Sequence, residues 1–122
     1  MYPDGRTIHI VYDANNNMIS WLAQSFNGAA WVDEEQNTYT WDANNNMTSF
    51  LEKDWNGTAL VNSWLDTYTY DAHNNQISDL SQKWSGTAWV NNDQYTYTYD
   101  ANNNQTSNLE KYWSGTALNM KH

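Results

Sequence analysis

The 122-residue chain has no cysteine, one proline, five glycines and five Lys/Arg. Without cysteine there are no disulfides, thiolate zinc sites or thiol nucleophiles. Five cations against fourteen acids, a net charge of -9, cannot neutralise a row of phosphates. Nucleic acid and anionic membranes are therefore excluded as partners. No apolar run approaches the roughly 18 residues of a membrane span. Met1-Tyr2-Pro3-Asp4 lacks the charged start and apolar stretch of a signal peptide. Aliphatic residues are also scarce: Ile, Leu, Val and Phe total 17, and mean hydropathy is -0.92. On that count alone the chain resembles a disordered one.

The aromatics oppose that reading. There are 8 Trp and 9 Tyr, together with 19 Asn. Order in this chain has to come from aromatic burial and turn chemistry. The length suits one domain, residues 1–122.

A period of 29 residues organises the sequence. Asp13, Asp42, Asp71 and Asp100 fall on it, as do Leu22, Leu51, Leu80 and Leu109. Phe26, Trp55, Trp84 and Trp113 share a third common position, and Gly28, Gly57, Gly86 and Gly115 a fourth. The units run at about 8–36, 37–65, 66–94 and 95–122. Each carries two turn signals. In Asp-Ala-Asn-Asn-Asn (Asp-Ala-His-Asn-Asn in the third unit) the Asp opens a type I turn. A residue of positive φ must then close the hairpin. Asn tolerates that region best after Gly, which assigns Asn16, Asn45, Asn74 and Asn103 to it. The second signal is Asn-Gly or Ser-Gly at Gly28, Gly57, Gly86 and Gly115.

Between the turns, segments such as Tyr95-Thr96-Tyr97-Thr98-Tyr99 alternate with period two, as strands do. The fold class is therefore all-β: an antiparallel meander of four β-hairpin repeats, closed as an eight-stranded barrel or coiling as an open sheet. Pairing through the two turns predicts a stagger of about four residues per repeat. It also predicts one face with Tyr39, Trp41, Leu51 and Trp55 and another with Thr38, Thr40, Phe50 and Glu52. The recurrent Tyr, Leu and Trp are expected to form an aromatic core. The termini are complementary halves of one strand, 117–122 matching its first half and 4–12 its second. They can close a ring or join chains head to tail.

Candidate chemistry is sparse. Asp13, Asn15 and Asn17 have the opening spacing of a calcium loop, but the closing Glu and the central Gly are missing. Turn chemistry accounts for them, so no metal or other cofactor is assigned. His9, His73 and His122 are scattered. Glu34, Glu35, Asp66 and Asp93 can approach on neighbouring strands, yet acids also keep sheets soluble, and no catalytic constellation accompanies them. Trp21, Trp31, Trp64 and Trp89 are the ligand-binding candidates, since flat rings stack on sugar faces. Trp21 is expected to be the most exposed.

Ile10-Val11-Tyr12-Asp13-Ala14-Asn15-Asn16-Asn17 and Tyr97-Thr98-Tyr99-Asp100-Ala101-Asn102-Asn103-Asn104 resemble YD repeats. Those repeats build bacterial Rhs and toxin-complex shells and occur in teneurins. The chain is still more similar to the longer Trp-Asn-Gly repeats of secreted Bacteroidetes surface proteins. Here Asn replaces the usual turn Gly, the unit is longer, and four units are too few to enclose a toxin. The resemblance implies coiling β-hairpins in an extracellular or cell-surface scaffold. The expected function is a non-enzymatic structural or adhesive module, self-associating head to tail. The alternatives are a polysaccharide-binding module and a small-ligand-binding β-barrel.

Overall fold

The computed structural model describes residues 5–114 and the backbone of 117–121. Nine antiparallel strands follow one another in a single sheet, in chain order. They are β1 (Arg6–Tyr12), β2 (Met18–Phe26), β3 (Trp31–Trp41), β4 (Met47–Trp55), β5 (Leu60–Tyr70), β6 (Gln76–Trp84), β7 (Trp89–Tyr99), β8 (Gln105–Ser114) and β9 (Ala117–Lys121). Thr, Tyr, Trp and Val fill these segments because branched and aromatic side chains pack well on a pleated surface.

The turns explain the hairpins. Asn16, Asn45, Asn74 and Asn103 have φ of 65°, 63°, 65° and 65°. Each donates its N–H to the carbonyl of the Asp three residues earlier, at 3.0–3.1 Å. The carboxylate of that Asp accepts two further main-chain N–H groups; for Asp13 these are Asn15 and Asn17, at 2.8 and 2.9 Å. At the other end the loop residues are Gly28-Ala29 and their counterparts. Gly28 takes φ 99°, while Asn27 pairs with Ala30 and accepts from Ala29 and Ala30 through Oδ1. Asn27 itself does not take positive φ, so Asn-Gly is not the central pair of a type I′ turn here. Gly115 lies outside the described residues.

From β1–β2 through β7–β8 each strand pair also carries a bulge that the sequence pattern conceals. Thr40 pairs with Ser49 but Trp41 with Met47, which leaves Thr48 extra. Glu52 pairs with Trp64 but Lys53 with Asn62, which leaves Ser63 extra. A one-residue insertion moves every later side chain to the opposite face. The face assignment made from the turns alone is therefore corrected. Tyr39 pairs with Phe50, ring centroids 5.4 Å apart, and Thr38 with Leu51. The bulges also reduce the stagger: Thr38 lies level with Leu51 and Leu51 with Leu65, two residues short of Thr67.

The sheet is open. β1 and β9 each pair with one neighbour, so the barrel does not form and there is no lumen for a ligand. Apart from β3 with β5, the described strands touch only their neighbours in sequence. The aromatic core is also absent. Among the described residues Ala23 is the single buried one, and none of the eight Trp is buried. The accessible surface is 7790 Å². A compact globule of this mass would expose roughly 6,800 Å². The physical reason is that both faces alternate rings with polar groups, so neither can be sealed without stranding charges or hydroxyls.

Candidate functional site

The register sorts the side chains onto two faces. One carries hydroxyls and leucines: Thr40 opposite Ser49, Leu51 opposite Leu65, Thr67 opposite Leu80, Thr98 opposite Ser107. The hydroxyls bond across the strands, Thr40 to Ser49, Thr69 to Ser78 and Thr98 to Ser107, each at 2.6 Å. Toward the glycine turns this face ends in aromatic pairs. Phe26–Trp31 and Trp84–Trp89 meet edge to face at 5.4 and 5.2 Å.

The other face gathers acids among rings. Glu35, Glu52, Asp54, Asp66, Asp79, Asp93 and Glu110 lie on it, with Tyr39, Phe50, Trp64, Tyr68, Tyr95 and Tyr97. Carboxylate oxygens of Glu35, Glu52 and Asp54 come within 4.8 Å of one another. Burial, followed by the hydrogen bond and charge of Asp54 and the charge of Glu35, pushes the Glu52 carboxyl up to about 7. Burial, then Asp66 and Asp93, pushes Asp79 up to about 6. Burial and then Asp66 raise the Tyr68 phenol. Two cations sit on this face. Arg6 pairs with the bulged Glu34 at 3.3 Å, and the Lys83 ammonium lies 5.8 Å from the Trp64 ring centre.

Of the acids singled out from the sequence, Asp66 and Asp93 flank Asp79, and Glu35 joins Glu52 and Asp54 rather than Glu34. Glu52, Asp54 and Asp79 were missed because the bulges hide which rings and acids share their face. The four candidate tryptophans do not converge. Trp31 and Trp89 lie in the aromatic pairs of the hydroxyl face, Trp21 and Trp64 on the carboxylate face. Trp21 is half-buried between Ile10 and Asn37, while Trp31 is 39% exposed. An open groove of about 400 Å³ is lined by His73, Ile77, Tyr97, Tyr99 and the turn acids Asp71 and Asp100.

The edge of the sheet at the asparagine turns has a continuous order. Asn17 Nδ2 donates to Asn45 Oδ1, Asn46 to Asn74 and Asn75 to Asn103, at 2.9, 2.9 and 3.0 Å. Next to this ladder the ring of each long strand's last residue reaches back over one hairpin. Trp41 Nε1 donates to the Met18 carbonyl, Tyr70 to Met47 and Tyr99 to Gln76, at 2.9, 2.7 and 2.6 Å. In the turns the Asp carboxylates are occupied by main-chain donors. The backbone hydrogen bonds from Asn46, Asn75 and Asn104 hold Asp42, Asp71 and Asp100 below the usual carboxylate range.

No family model matches the chain, and no curated protein matches it. Solved structures share its fold. A protein of unknown function from Bacteroides fragilis is 11% identical with a TM-score of 0.68, covering 98% of this chain and 91% of its own. A DUF3836 family protein from Bacteroides vulgatus is 20% identical with a TM-score of 0.54, covering 72% of this chain and 91% of its own. At these identities the likeness is one of fold: an all-β antiparallel meander without helices.

Proposed function

We propose that the chain is a non-enzymatic, extracellular structural module of four 29-residue hairpin units, of the YD-repeat kind, that associates with itself through its sheet edges. The observation that carries this reading is the open sheet. The outer side of β1 and the Ser107–Leu109 stretch of β8 present main-chain groups that no described strand pairs. Unpaired edges are templates for strand addition, and folds that remain monomeric usually blunt them. The contacts between units recur at one interval, so an added unit finds the same surface as the last. Repeat arrays of this kind grow by nearest-neighbour contacts. The acids of one face oppose face-to-face stacking and leave the edges for association.

Light scattering over a concentration series tests the reading. A mass that rises with concentration is expected. A mass that stays at 14.2 kDa throughout contradicts it.

A further inference from the structure

The ladders that bind one unit to the next stop short at each end of the sheet, and the two ends lack opposite halves of the same contacts. Ser20 pairs with Thr38, Ser49 with Thr67 and Ser78 with Thr96. Ser107 is the next member on the β8 side, and His9 occupies the Thr position in β1. The rings of Trp41, Tyr70 and Tyr99 donate to the carbonyls of Met18, Met47 and Gln76. Tyr12 holds the same position in β1 and is 57% exposed; Gln105 holds the carbonyl position in β8. Asn17, Asn46 and Asn75 donate to Asn45, Asn74 and Asn103. Asn104 is the next donor, and Asn16 the acceptor position that no preceding turn uses among the described residues.

From this we infer that a second copy of the chain docks its β1 edge on the β8 edge in one register: Ser107 opposite His9, Asn108 opposite Ile8, Leu109 opposite Thr7 and Glu110 opposite Arg6. This deepens the structural-module reading and rests on it. The β9 residues 118–121 of one copy and β1 residues 6–12 of the next then occupy the same eleven unit positions as β3. The junction falls at the position of Glu34, the bulge residue that already lacks a pairing partner in β2. Gly5, just before β1, stands at that unit position with φ 82°, a backbone conformation that L-residues rarely adopt. Charge agrees with the register. Glu110 stands opposite the cation Arg6 in the composite sheet, and both lie on the carboxylate face.

The chain has no cysteine, so engineered thiols report the register cleanly. Thr7→Cys with Leu109→Cys places thiols opposite each other in the composite sheet. Ile8→Cys with Leu109→Cys places them on opposite faces. Within one molecule β1 and β8 are seven strand spacings apart, roughly 34 Å, beyond disulfide reach. With diamide as oxidant, the first variant is expected to give a ladder of covalent dimers and higher multiples, the second about tenfold less. Tyr12→Phe, a change at an exposed edge, is expected to weaken association about fivefold. A mass that rises with concentration while neither variant gives a ladder overturns the register and leaves the structural-module reading standing. Equal cross-linking of both variants also overturns the register. A strictly monomeric chain overturns both.

Discussion

At the scale of single residues the fold depends on positions where backbone conformation is set by a side chain. Asn45 sits at φ 63° and accepts from Asn17. Asn45→Gly and Asn45→Ala both remove that acceptor, but only alanine adds the strain of a β-carbon in the left-handed region. Urea unfolding should find the alanine variant about 1 kcal/mol less stable than the glycine variant. Equal stabilities would mean that φ at this site is not what selects asparagine. The acids set the pH dependence. The carboxyls of Asp42, Asp71 and Asp100 lie below their ordinary value of 3.8, so the stability they contribute is present above it and is lost as pH falls through the folded values. Burial and then neighbouring acids raise Glu52 and Asp79 to about 7 and about 6, so both stay protonated in the fold near pH 4 and the cost of holding them there grows as pH rises toward those values. Stability should therefore peak near pH 4 to 5 and decline toward neutrality. Asp79→Asn should raise the melting temperature more at pH 8 than at pH 5. A gain of the same size at both pH values would contradict that pH-dependent cost.

At the scale of elements, strands and turns were legible in the sequence while the faces were not. Asp followed by three Asn announces a turn because Asn tolerates positive φ, and Thr-Tyr alternation announces a strand. Thr48 and Ser63 look like ordinary strand residues, however, and nothing in their chemistry marks them as bulged. These insertions shift the faces, and the one at Thr48 moved Phe50 beside Tyr39 and separated Tyr39 from Leu51. They also hid the clustering of Glu52 and Asp79 with other acids. The aromatic pairs hold the strands at their glycine-turn ends; an edge-to-face pair contributes about 0.5–1.5 kcal/mol beyond area burial. Leu51 lies half-buried on an uncovered face. Leu51→Ala should therefore cost about 1 kcal/mol in urea unfolding, below the ~2–5 kcal/mol of a leucine in a closed core. A loss in the upper range would require a second layer over that face.

At the scale of the whole molecule, scarcity of aliphatic residues and abundance of aromatics have a common cause. A single-layer sheet has no interior to fill, so it does not need many leucines. It needs side chains that shield a ladder from one side while tolerating water on the other, which rings with a polar tip can do. Nearly all contacts join neighbours in sequence. Amide exchange should be slowest in β4 to β6 and become faster toward β1 and β9, as in other one-dimensional arrays. Uniform protection across all strands would indicate a closed or globally cooperative structure. The account stands or falls on the absence of a closed core. Acrylamide quenching of tryptophan fluorescence, at concentrations where light scattering gives the mass of one chain, tests it most directly. All eight Trp are at least partly exposed. The account predicts a linear quenching plot with no shielded fraction. A substantial population of unquenched tryptophan would contradict it.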